Sequence, residues 1–149
     1  AARLEPNAPP PSRRLAALGE LSGAGLFAGV LLMPVLPFLE DSEEGVLAVV
    51  EGAARAGARF VYPAFGVTMR QGQREYFLDG LERAFPGRGL RERYLRRFGD
   101  RYWCASPKAG KLWQAFTAAC QTSGILYDMK SIIRAASLGY GDRQLTFFD

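Results

Sequence analysis

At 149 residues, 48% apolar and 23% charged, the chain has the make-up of one folded domain with a proper core, which excludes a disordered polypeptide. It carries no histidine and two cysteines. His-dependent nucleophilic sites, His-ligated metals, and zinc or iron–sulfur centres built from three or four Cys or His ligands are therefore excluded within these residues.

Residues 1–11 hold no initiator Met and no apolar signal core, and they read as the middle of a longer chain. Pro9, Pro10 and Pro11 form a stiff lead-in, after which Ser12 is expected to cap a helix. Leu15, Leu18 and Leu21 recur in it at helical spacing, and it ends at the glycines 23 and 25. Residues 26–36 form a nearly continuous apolar run closed by prolines, the pattern of a strand buried on both faces in a parallel sheet. That run is shorter than the ~20 apolar residues a membrane span requires, so no membrane partner is expected.

Asp41 and Glu44 make a capping-box pattern, and Val46, Leu47, Val50 and Ala54 form one stripe of the helix that follows, stopped at Gly57. Residues 59–65 read as a second apolar strand. Helix, strand, helix, strand with short connections predicts parallel α/β winding, in which ligands bind beyond the C-terminal ends of the strands. Those ends are residues 34–41 and 65–69.

Past Met69 the pattern predicts helices only. The first two cover residues 74–85 and 90–98, separated by Pro86 and Gly87. A third is opened by Ser106 and Pro107 and carries Leu112, Trp113, Phe116 and Cys120 on one face. Asp128 caps a last helix with Met129, Ile132 and Ile133, and Leu145, Phe147 and Phe148 predict that residues 144–149 dock on the fold.

Residues 88–101 hold six arginines against Glu92 and Asp100, a local excess equal to the whole chain's net charge of +4. Arg93, Arg96 and Arg97 share a helical stripe suited to phosphate contacts, which makes nucleic acid a candidate partner. A solvated basic helix face is the commoner outcome for such a pattern. Glu40, Asp41 and Glu44 read mainly as helix-dipole partners. Cys104 and Cys120 sit sixteen positions apart, match no metal or disulfide spacing, and read as small buried hydrophobes of a reducing, cytoplasmic setting.

Several runs taken together resemble radical S-adenosylmethionine (SAM) proteins of the spore photoproduct lyase-like family. RLEPNAPPPSRRL (residues 3–15) precedes AGLFAGVLLMPVLPFLED (residues 24–41), which is similar to the family pattern AGI-x-x-GV-x-x-x-P-x-x-PG-x-ND. FGVTMRQGQREYF (65–77), FPG (85–87), YWCASP (102–107), GILY (124–127) and QLTFF (144–148) are similar to the family's C-terminal portion.

The resemblance implies a partial (β/α)6 TIM-type barrel. Residues 1–69 would be its last two parallel strands with their helices, and residues 70–149 an all-helical extension with a docking tail. It also implies a 4Fe–4S cluster, held by a CxxxCxxC motif in an N-terminal half on the same or a separate chain, and SAM as the source of a 5′-deoxyadenosyl radical. That motif is absent here, so these residues alone are not expected to be active. Leu36, Tyr62 and Phe65 would lie against the adenine. Phe38 stands where relatives usually have glycine. The implied substrate is unspecified. A non-catalytic module that binds nucleic acid, or one that serves as a structural partner, is the alternative.

Overall fold

A computed structural model describes residues 3–138 of the chain. Among the described residues it is a mixed α/β fold of six helices and two small sheets, one of them a parallel pair. No helix among them is long and apolar enough to cross a membrane.

Helix α1 (Pro11–Gly23) starts on prolines rather than on a side-chain cap. Pro10 is the N-cap and Pro11 occupies the first helical position, where its fixed φ suits the helix and its missing N–H costs nothing. Ser12, expected as the cap, therefore lies one residue inside the helix. Helix α2 (Glu43–Arg55) is capped by Ser42, whose Oγ accepts from the Gly45 N–H at 3.1 Å. Asp41 is thus not the cap; its carboxylate is turned inward and engaged elsewhere.

Strand β1 (Gly29–Leu32) pairs in parallel with β2 (Phe60–Pro63), Gly29 opposite Phe60 and Leu32 opposite Pro63. Both strands are shorter than the apolar runs that contain them, because Pro34 cannot donate to a ladder. The helices lie on one face only. Val30, Leu32 and Val61 turn toward them and share a core with Leu18 of α1, Val46 and Val50 of α2, and Leu112 and Phe116 of α5 (Ala109–Ser123). Leu31, on the opposite face, is 63% exposed, which overturns the expectation of burial on both sides. A third parallel segment touches the sheet at Leu126: Val61 N–H donates to Leu126 O at 2.9 Å and Leu126 N–H to Arg59 O at 3.1 Å.

The region beyond Met69 is not helical throughout. Strand β3 (Gly66–Thr68) pairs antiparallel with β4 (Trp103–Ala105), Val67 opposite Cys104. Each strand is three residues long and its partner lies far off in sequence, so local periodicity could not reveal them. Helices α3 (Arg74–Ala84) and α4 (Leu90–Phe98) fold against one face of this ribbon. Leu78, Leu81, Leu90, Tyr94, Phe98 and Cys104 form the resulting second core.

Helix α5 begins at Ala109, with neither Ser106 nor Pro107 in its first turn. Asp128 does cap α6 (Met129–Ser137), accepting from the Ser131 N–H at 2.9 Å. The docking expected of residues 144–149 falls outside the described residues.

Candidate ligand face at the strand ends

The loop that leaves β1 runs directly over the end of β2. Val35 N–H donates to Ala64 O at 3.0 Å, and Ala64 N–H donates back to Leu32 O at 3.0 Å. Val35, Leu36 and Pro37 are buried in the turn this creates.

Side chains of the second core then hold the loop from the other side. Tyr94 donates its buried hydroxyl to Pro37 O at 2.9 Å. Phe38 places its ring 5.5 Å from that of Tyr94, edge-on, and 5.9 Å from that of Phe98. Ser106 donates to Asp41 Oδ2 at 2.6 Å and its oxygen accepts from the Lys108 N–H at 3.0 Å. Asp41 is only 5% exposed, and a buried carboxylate needs such a donor. Burial, with Asp41 nearby, pushes ionisation of the Tyr94 hydroxyl well above its ordinary range, so Tyr94 acts as a neutral donor.

Phe38 has φ +66°, a left-handed backbone that costs a non-glycine residue roughly 1–2 kcal/mol. Glycine suits that conformation, and the phenyl ring offsets the strain here by packing between helix α4 and its own loop. The Arg93 guanidinium lies 4.4 Å from the ring centroid and completes the enclosure.

The remaining arginines divide between structure and surface. Arg74 donates to the carbonyls of Gly99 and Arg101, the latter at 2.8 Å, and so holds the end of α4. Arg91 bridges to Glu75 at 2.7 Å and to Asp79, joining α4 to α3. Arg96 and Arg97 are exposed and make no ion pair among the described residues. The expected stripe of Arg93, Arg96 and Arg97 is exposed at all three positions, with the Arg93 guanidinium also lying over the Phe38 ring.

The three residues expected beside adenine are not equivalent. Leu36 is buried within the turn. Phe65 belongs to the helix-side core, with its ring 5.8 Å from that of Phe116 and 6.4 Å from that of Trp113. Tyr62 is half-buried on the open face of the sheet, which it shares with Leu31. Beside them Phe27 stacks on Phe60, ring centroids 5.5 Å apart.

Neither cysteine is placed for chemistry. The Cys104 thiol is buried, donates to Arg101 O at 3.6 Å, and is pushed up by burial against the opposing pull of Arg74 and Arg101. Burial pushes Cys120 up to about 11. The two belong to different cores, and no group of three metal-ligating side chains occurs among the described residues. An iron–sulfur cluster does not fit these residues.

Sequence reasoning missed Asp41, Tyr94 and Ser106 as a connected set. Asp41 and Ser42 are both good cap residues, and only tertiary contact decides between them. No protein-family model matches the chain, and no solved structure matches it. Curated proteins that do match include uncharacterised proteins of Mycobacterium tuberculosis and Mycobacterium bovis, each 38% identical over 96 residues. The match takes in 64% of this chain and 28% of the mycobacterial protein, so the chain spans well under half the length of the curated relatives it matches.

Proposed function

We propose that these residues are the C-terminal, ligand-covering part of a radical SAM enzyme of spore photoproduct lyase-like type, working in a reducing, cytoplasmic setting. In this reading β1, α2 and β2 are the last units of a partial (β/α)6 barrel. One observation supports it above the others: parallel strands carry helices on a single face, and their C-terminal loops are locked side by side where α/β proteins bind ligands.

Cluster chemistry belongs to polypeptide outside these residues, since the two buried cysteines cannot supply it. What this chain contributes is a rigid strand-end loop, the Tyr62 side chain on the open face, and a cover built from α3 and α4.

The test is direct. The complete natural polypeptide containing these residues, purified without oxygen and given a reductant, is expected to cleave SAM to 5′-deoxyadenosine and methionine. Absence of a CxxxCxxC motif in the same or an adjacent coding sequence, together with no cleavage, would sink the reading.

A second reading rests on Arg96 and Arg97, exposed on α4 and without ion pairs among the described residues. There the helix contacts a nucleic acid and no local chemistry is needed.

A further inference from the structure

The two cores share no residue. The second is built almost wholly from residues 66–105, and among the described residues only Leu4, Phe38 and Leu39 enter it from elsewhere. This segment leaves the parallel layer after Phe65 and rejoins it at Ser106. Those two residues are themselves bonded, Ser106 N–H donating to Phe65 O at 2.8 Å, so both crossings lie side by side on one line. Phe65 is rooted in the first core and Ser106 holds Asp41, which fixes the base of the segment to the layer.

Beyond that base, the closest tie is Phe38. Its ring packs edge-on to Tyr94 and beside Phe98, under the Arg93 guanidinium. Its backbone is nevertheless left-handed, a conformation that persists in a non-glycine residue only where the surroundings impose it and that clusters in ligand clamps and switch regions. The groups that impose it are few: Arg93 is exposed, and the Tyr94 hydroxyl adds one neutral hydrogen bond to Pro37 O. Withdrawing the ring gives up packing and relieves strain in the same movement. Two arrangements are thus set against each other at a single residue.

We propose that residues 66–105 are a hinged lid over the strand ends, with Phe65 and Ser106 as its hinge line and Phe38 as its latch. The arrangement described above is the closed one. Opening withdraws the Phe38 ring from α4, breaks the bond from Tyr94 to Pro37 O, and uncovers both the strand-end loop and the core that holds Cys104. Lids of ligand sites belong to the less stable parts of a fold, as a segment with its own small core does. The ligand admitted is that of the reading given above, on which the inference rests for its purpose alone; the swing itself is tested without ligand.

Each core carries one fully buried cysteine, Cys104 in the lid and Cys120 in the layer, so thiol labelling reads the two separately. The complete natural polypeptide containing these residues is treated with iodoacetamide in the absence of oxygen, and the two sites are resolved by mass spectrometry of their peptides. Cys104 is expected to be alkylated about tenfold or more faster than Cys120, because the lid opens without unfolding of the layer. Phe38→Gly removes ring and strain together and is expected to speed alkylation of Cys104 by about tenfold again, with Cys120 unchanged. Tyr94→Phe keeps every ring, removes only the hydroxyl bond to Pro37 O, and is expected to speed Cys104 by a smaller factor.

Equal rates for the two thiols, or variants that speed both alike, overturn the lid, since the molecule then opens only as a whole. Faster labelling of Cys104 that neither variant increases overturns Phe38 as the latch. SAM cleavage by the same preparation is read independently. Cleavage with equal thiol rates removes the lid and keeps the enzyme; unequal rates without cleavage do the reverse.

Discussion

Ser106 donates its hydroxyl to Asp41 Oδ2 across 2.6 Å, joining the loop after β1 to the segment after β4 from 65 positions away. Hydrogen bonds to charged groups contribute about 1.5–3 kcal/mol, and removing one partner of a buried pair exposes the desolvation cost of the other. Ser106→Ala is therefore expected to lower unfolding free energy by about 2 kcal/mol in urea titration. A loss below about 0.5 kcal/mol, the range of ordinary surface substitutions, would show that Asp41 finds another donor.

Gly66 has no room for a side chain. A Cβ there would lie 2.6 Å from Cys104 O and 2.8 Å from the Trp103 ring. Gly66→Ala should separate β3 from β4, at a cost of about 1–3 kcal/mol or more. The Trp103 ring covers this glycine, so tryptophan fluorescence is expected to shift along with the melting temperature. Unchanged emission with unchanged stability would contradict the tight ribbon.

Alkaline pH should weaken the fold through Cys120. Burial raises its folded value to about 11 from an ordinary 9.0, which means the fold favours the neutral thiol. The stabilisation is complete below about pH 9 and is lost as pH rises toward 11, a change of roughly 2–3 kcal/mol at about 1.4 kcal/mol per unit. Tyr94 acts in the same direction at higher pH, because its hydroxyl is also held neutral. Cys120→Ala should reduce the pH dependence between 9 and 11, leaving the part that the buried Cys104 thiol contributes in the same direction; a slope equal to that of the unaltered protein would remove Cys120 as a source.

The basic face of α4 separates binding from stability. Arg96→Ala and Arg97→Ala should change stability by less than about 0.5 kcal/mol, while Arg93→Ala forfeits its stacking on Phe38, about 0.5–1 kcal/mol. If α4 binds nucleic acid, the Arg96 and Arg97 variants should reduce both affinity for a short duplex and the slope of affinity against salt, by about one unit for each phosphate no longer neutralised. Affinity unaffected by either change would dismiss that reading.

Much of the parallel layer was legible in the sequence, since it rests on local patterns: Leu15 and Leu18 of α1, though not the exposed Leu21, the stripe of Val46 and Val50, and the apolar runs around β1 and β2. The Asp128 cap was equally local. What was hidden depends on partners far along the chain. Val67 meets Cys104, Tyr94 meets Pro37, and Asp41 meets Ser106, and no periodicity within a dozen residues encodes such meetings. The expected adenine contacts divided for a related reason. Alternation along β2 set Tyr62 on the open face, while the bend after Pro63 turned Phe65 among the helix-side rings.

The pairing of Gly66 with Ala105 also bears on how the chain assembles. Everything between those residues leaves the parallel layer and returns to nearly the same point, so the excursion closes on itself. Once closed, α5 reaches α2 as though across a short connection rather than the 53 residues that separate them in sequence, and loop-closure cost grows only slowly with length in any case. The layer's wiring therefore passes straight through Gly66 and Ala105, and varying what lies between them would remodel the strand-end face, because Tyr94 of that segment holds Pro37 O.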